Sequence, residues 1–208
     1  MDSDRTKAFK EQLRRDMYPE TLGDFHHNII KERAPYFART YCTAGGRILD
    51  VGCGTGIALE IFRDLGFSAT GVELGEEDYG VCVQKGLSVE RVDMHEMTFP
   101  DESFDAIWCR HTLEHSFMPF FLLAEFNRML PVGGVVYIEV PVFGTDAHHE
   151  DNPNHYSCMT PAVLEKLLGR AHFDILEHNA LTFGVEHGGM DQYQLFIVRK
   201  KDNFYGSK

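Results

Sequence analysis

What the chain lacks narrows the field first. No apolar run approaches the roughly 18 residues that a membrane span needs, so no membrane partner is expected. The first stretch, MDSDRTKAFKEQLRRDMYPE, mixes both charge signs without an apolar segment, which argues against a secretory signal. Cysteine is sparse: Cys42, Cys53, Cys82, Cys109 and Cys158 are five in number, scattered, and form no C-x-x-C pair. That pattern suits reduced thiols in a cytoplasmic protein better than a disulfide framework or a zinc site. Basic blocks are missing too. Thirty-two acidic against twenty basic side chains leave a formal charge of −12, which repels phosphate backbones. Nucleic acid is therefore a poor partner, and a small or neutral substrate fits better.

What is present reads as an ordinary globular composition, with 43% hydrophobic and 25% charged residues over 208 positions. The length suits a single domain spanning residues 1–208. Residues 5 to about 41 read as helical, with a turn near YPETLGD. Strands and helices then alternate, the signature of a parallel α/β sheet. Strands are predicted at Arg47–Val51, Ser68–Val72, Ser88–Val92, Phe104–Trp108 and Val135–Val140. Helices are predicted at Ile57–Asp64, Glu76–Gln84 and Met118–Leu130, with Gly66 and Gly86 as C-caps. Residues 141–160 form a polar, His-rich loop before a helix opened by Thr160 and Pro161. FDILEHNAL and QYQLFIVRKK then read as strands, and the absence of a helix between them implies an antiparallel last strand.

RILDVGCGTG, residues 47–56, carries three glycines in five positions where the first strand gives way to a helix. Such a loop brings backbone N–H groups and a helix N-terminus up to a ligand. A dinucleotide motif does not fit: G-x-G-x-x-G from Gly52 needs glycine where Ile57 stands, and from Gly54 where Leu59 stands. No Gly-Lys-Ser/Thr follows, which excludes a P-loop.

ILDVGCGTG, VELGEE, VDMHEMTFPDESFDAIWCRHTLEH and LPVGGVVYIEVP together resemble class I S-adenosylmethionine-dependent methyltransferases. The resemblance is strong over about residues 46–141. The tail NHYSCMTPAVLEKLLGRAHFDILE is similar to small-molecule members of the ubiquinone-biosynthesis type. The resemblance implies a Rossmann-like, doubly wound, seven-stranded, mostly parallel sheet with an antiparallel last strand and a helical N-terminal extension. Residues 1–41 would be a lid, 42–208 the core, and 141–160 a loop on the substrate side. The implied cofactor is S-adenosylmethionine and the implied partner a small-molecule methyl acceptor, in a monomer or homodimer.

Within that resemblance, Gly52, Cys53, Gly54 and Gly56 form the cofactor loop. Glu73, with Leu74 beside it, is expected to accept the ribose hydroxyls. Asp93 takes the adenine amine, and Met94 packs on the ring. Asp50 orients the ammonium, which also meets the backbone of Cys109 or Arg110. Where nucleic-acid amino-methyltransferases carry an Asn/Asp-Pro-Pro-aromatic motif, this chain reads CRHTLEH, again against a nucleic-acid substrate. Tyr18, Phe25, His26, Tyr36 and Phe37 could form the lid or simply be core.

DAHHEDNPNHY, residues 146–156, and HTLEH, residues 111–115, invite a metal reading. No metal is assigned. His148 and His149 are adjacent and would point apart, and no H-x-x-x-H pair lies inside an evident helix, although His111 and His115 could share a face. His111, His149 or His155 is expected instead to serve as a base or orienting partner, since an ordinary imidazole with a pKa near 6.5 is mostly neutral at cellular pH. Two other readings stay open: a non-catalytic binder on this fold, and a metalloenzyme built on the histidines.

Overall fold

The computed structural model describes residues 8, 9, 11, 12, 23–185 and 188–206. Seven strands form one sheet: β1 (Arg47–Val51), β2 (Ser68–Glu73), β3 (Val89–Arg91), β4 (Ala106–Arg110), β5 (Val135–Pro141), β6 (Phe173–Gly184) and β7 (Met190–Lys200). Their order is β3-β2-β1-β4-β5-β7-β6. The first five run parallel, and β7 is antiparallel to both β5 and β6. The helices are α1 (Asp24–Tyr41), α2 (Ile57–Asp64), α3 (Glu76–Gln84), α4 (Pro119–Met129) and α5 (Pro161–Arg170). This is the expected Rossmann-like doubly wound sheet. No helix among the described residues is long and apolar enough to cross a membrane.

Successive strand residues point to opposite faces, and both faces here are covered. Leu49, Val51 and Ile107 pack against Leu122 and Phe126 of α4 and Leu168 of α5. On the other face Ile48, Trp108 and Tyr137 pack against Phe37 of α1 and Phe62 of α2. The Trp108 and Tyr137 rings stack with centroids 3.8 Å apart. Burying a phenyl ring fully, as at Phe37 and Phe62, stabilises the fold by roughly 1.5–3 kcal/mol relative to exposure.

The bounds of α2 and α3 agree with expectation, but β4 lies two residues later than the predicted Phe104–Trp108. The reason is local. Asp105 accepts the Arg47 backbone N–H at 2.8 Å and pairs with its guanidinium, while the Phe104 N–H turns to the carbonyl of Met129 at 3.0 Å. These residues clamp neighbouring segments before the ladder starts. β6 and β7 are longer than predicted because they go on pairing with each other as far as Gly184↔Met190.

β6 also seats α1, within its predicted span and beyond it. The hydroxyls of Tyr36 and Tyr41 donate to Glu177 at 2.8 and 2.6 Å, and Phe25 packs on Phe183. Of the aromatics considered for a lid, Phe37 is a core residue with no exposed surface. Tyr18 lies outside the described residues.

The register pairs Val51 with both Val72 and Cys109, so β1, β2 and β4 end nearly level. The direction of winding reverses between β1 and β4. At such a switch point the loops on either side diverge and leave a crevice at the carboxyl ends of the strands.

Candidate active site

A cleft of about 520 Å³ occupies that crevice, a size typical of small-molecule sites. Gly52, Gly54 and Gly56 all hold left-handed backbone, at φ 72°, 52° and 81°. Their surroundings differ. A Cβ at Gly52 would meet Thr112 Oγ1 at 2.4 Å, and one at Gly56 would meet Leu87 at 2.4 Å and Cys82 at 2.9 Å. At Gly54 it would meet nothing within 4 Å. Two glycines therefore let protein pack against protein, and Gly54 is the one that opens on the cleft. Gly52 and Cys53 also line the cleft, whereas Gly56 lies outside its walls.

Glu73 ends β2 beside this loop. Its carboxylate accepts N–H groups from Gly54 at 2.9 Å, Leu74 at 2.8 Å and Gly75 at 2.7 Å. Burial nonetheless raises its pKa, against the pull of those backbone donors. Asp50 is 3% exposed, and burial, with Cys82 and Glu73 nearby, pushes its pKa well up. A cation in the cleft would offset that desolvation. The walls carry six acidic side chains (Asp50, Glu73, Glu76, Glu77, Asp78 and Asp93) against two guanidiniums, Arg91 and Arg110.

Asp93 and Met94 line the cleft beyond β3. Asp93 Oδ1 accepts the His95 backbone N–H at 2.9 Å and contacts its Nδ1 at 2.7 Å, while His95 Nε2 meets Ser116 Oγ at 2.8 Å. The His95 ring lies 4.1 Å from that of Phe117. His95 and Phe117 were not singled out from sequence. The position of His95 two residues after Asp93, where a side chain can cap a turn, was the available signal for it.

At the other end, Arg110 pairs with Glu139 at 2.8 Å, both side chains being almost fully buried. His111, also on the wall, holds a left-handed backbone at φ 48°, fixed by its N–H bond to the Glu139 carbonyl at 2.8 Å. Its ring nitrogens contact Glu114 at 3.4 Å and Glu139 at 3.2 Å. Burial presses His111 toward neutrality, but the two carboxylates outweigh it and its pKa is raised. The ordinary imidazole expected from sequence is thus shifted upward at His111 by its two carboxylate neighbours. His26 of α1 behaves oppositely. Burial, then the charges of His111 and Arg110, lower it to about 4, and its Nδ1 lies 3.3 Å from Arg110 Nη2.

Cys109 is fully buried, and His149 and His155 also lie outside the cleft walls. His149 Nε2 meets Asp191 at 2.9 Å. His155 instead approaches His115, which does line the cleft, with ring centroids 4.8 Å apart. Nothing in local sequence pairs residues forty positions apart.

A model of the methyltransferase domain family matches residues 23–178. Over 120 residues the chain is 32% identical to a ubiquinone biosynthesis O-methyltransferase of Dechloromonas aromatica, covering 54% of this chain and 51% of that protein. The chain spans about half the length of the curated relatives it matches. In fold it is similar to an S-adenosylmethionine-dependent methyltransferase of Archaeoglobus fulgidus, with a TM-score of 0.70, 21% identity and coverage of 95% and 100%. It is similar also to the [4+2]-cyclase SpnF, with a TM-score of 0.67, 23% identity and coverage of 82% and 81%. The family match takes in the glycine loop, Glu73, Asp93 and the turn after β4, the same residues that build the cleft. On that match, which spans most of its length, the chain belongs to the methyltransferase domain family.

Proposed function

We propose that the chain transfers the methyl group of S-adenosylmethionine, the cofactor its family implies, to an oxygen, nitrogen or carbon nucleophile of a small molecule. The observation that carries this reading is the acidic cleft reached through the open face of Gly54. Its excess of carboxylates attracts a sulfonium and an ammonium and repels the pyrophosphate of a dinucleotide. Asp50 is placed to hold the ammonium, Glu73 to accept ribose hydroxyls through its remaining lone pairs, and Asp93 to receive the adenine amine beside Met94. When bound, the cofactor supplies an already activated methyl group, so the protein's work is alignment and exclusion of water.

The acceptor end lies toward α1 and the loop after β5. Ile30 of α1, with Asn154 and Tyr156 of that loop, stands on the cleft wall, which supports a lid role for α1 and a substrate-side loop at 141–160; residues 1–7, 10 and 13–22 of the expected 1–41 lid lie outside the described residues. Arg110 Nε is buried there without a hydrogen-bond partner, and His111 Nε2 has the Glu139 carboxylate 3.2 Å away but makes no well-aligned hydrogen bond. They are two donors suited to an acceptor oxygen, and His111 orients that oxygen by donating to it. The O-methyltransferase names of the relatives support oxygen as the acceptor atom. The five free cysteines suit a reducing, cytoplasmic setting.

Calorimetry tests the cofactor: S-adenosylhomocysteine should bind and NAD should not. Labelled cofactor, offered with phenols, carboxylates and amines, tests transfer. A second reading is a chain that binds the cofactor without giving up its methyl group; it predicts binding with no labelled product on any acceptor.

A further inference from the structure

The histidine-rich loop and the turn after β4 are joined at one point by side chains from distant parts of the chain. One carboxylate oxygen of Glu114, one ring nitrogen of His115 and one of His155 lie within 4.8 Å of one another. We propose that these three residues bind one divalent transition-metal ion of the zinc class in the wall of the cleft.

The hydrogen bonds around the two imidazoles present the right nitrogens. His115 Nδ1 is 3.1 Å from the Asn154 carbonyl, and His155 Nδ1 is 2.8 Å from the His149 carbonyl. A carbonyl only accepts, so both Nδ1 atoms carry the proton and both Nε2 atoms keep a lone pair. A backbone carbonyl on the far nitrogen is the usual way a ligating histidine is oriented and its tautomer fixed. His155 Nε2 accepts from the Asn152 amide at 3.2 Å, a contact the ion would replace.

The carboxylate supplies an independent sign. Glu114 is 1% exposed, and its Oε2 is buried with no hydrogen-bond partner. Leaving such an atom unpaired is costly, so it calls for a ligand. The side-chain oxygen of Asn154, the residue that receives His115, is likewise buried and unpaired.

Two imidazoles and a carboxylate form a donor set suited to zinc, iron or nickel rather than magnesium or calcium. Bonds of about 2.1 Å in a tetrahedron place donors roughly 3.4 Å apart, so the three groups need close by little more than 1 Å. The framework is held from both sides: Ser157 donates its backbone N–H to the Glu114 carbonyl at 2.9 Å, and its hydroxyl donates to the Ser116 carbonyl. Three protein donors leave a fourth tetrahedral position for water or an acceptor oxygen, and His115 and Asn154 both line the cleft.

The test uses the full chain without a histidine tag, stripped with chelator and titrated with Zn²⁺ against a chromophoric competitor. Co²⁺ is then added to read its visible absorption. One equivalent should bind, and tetrahedral Co²⁺ bands should develop. His115→Ala and His155→Ala should each weaken Zn²⁺ binding roughly 10²-fold or more, whereas His148→Ala, an exposed neighbour in the same loop, should not. Glu114→Gln should behave like the histidine variants if it folds. If it does not fold, His155→Ala, which removes a partly exposed ring, decides the matter. Absence of micromolar binding, unchanged binding by His155→Ala, or equal weakening by His148→Ala would each overturn the site.

Discussion

Glu73 accepts the backbone N–H of Gly54 at 2.9 Å, tying the end of β2 to the only open glycine of the loop after β1. The same carboxylate bonds the Leu74 and Gly75 amides, so it shapes the loop as well as facing the cleft. Glu73→Ala should weaken S-adenosylhomocysteine binding by about 1.5–3 kcal/mol, the scale of a hydrogen bond to a charged group. It should also lower folding stability by about 1–3 kcal/mol, because three part-buried backbone N–H groups lose their acceptor. Calorimetry and urea titration read the two effects, and unaltered affinity in a folded variant would place the ribose elsewhere.

The three glycines should fail for different reasons. Gly52→Ala drives a methyl into Thr112 and should cost about 2–4 kcal/mol of stability through overpacking and left-handed strain. Adding Thr112→Ala should restore part of that loss. Gly54→Ala should cost only the left-handed strain, about 1–2 kcal/mol, yet weaken the cofactor more than its stability loss implies. Equal profiles for the two single variants would contradict the division of roles.

Arg110 and Glu139 form a buried pair that should be costly to break on one side. Arg110→Ala leaves the Glu139 carboxylate buried without its guanidinium partner, and should destabilise by about 3–5 kcal/mol. Arg110→Leu combined with Glu139→Gln should recover much of this in urea titration. A double variant no better than Arg110→Ala would show that packing, not charge, sets the cost.

Acid should weaken the fold in two windows. His26 is faced by Arg110 at the end of β4 and His111 just after it, by Glu139 of β5, by Tyr193 of β7 and by His27 on its own helix. Its pKa is about 4 folded against 6.5 ordinarily, so the unfolded chain takes up the proton first. The stability it contributes is fully present above about pH 6.5 and is lost as the pH falls toward 4. Glu139 has its pKa raised by burial, but His111 and Arg110 outweigh this and bring it to about 2, so its contribution disappears between about 4.5 and 2. His26→Leu should flatten the urea midpoint between pH 6.5 and 4 while leaving the lower fall in place. A fall between 6.5 and 4 that persists in His26→Leu would assign that window to another group.

His111→Ala should reduce turnover roughly 10²-fold once an acceptor is known, with cofactor affinity unchanged. His111→Gln, which keeps a donor, should recover part of kcat. Wild-type turnover in both variants would leave alignment alone as the mechanism.

The alternation of strands and helices, the antiparallel last strand and the glycine loop were all legible in the sequence, because each depends on local periodicity and on residues that tolerate left-handed backbone. That Asp50, Glu73 and Asp93 line the cleft was legible too, Glu73 from its place at the carboxyl end of a parallel strand and the two aspartates from the resemblance. Packing between distant segments decided the rest. Thr112 and Leu87 determine which glycines face protein and which faces the cleft. The start of β4 depends on Asp105 reaching back to Arg47, fifty-eight positions earlier. The raised pKa of His111 depends on carboxylates from two different segments, and His155 meets His115 only because the loop after β5 folds back onto the turn after β4. Side-chain encounters across the chain leave no period in the sequence; they exist only once the sheet has brought its loops to one edge.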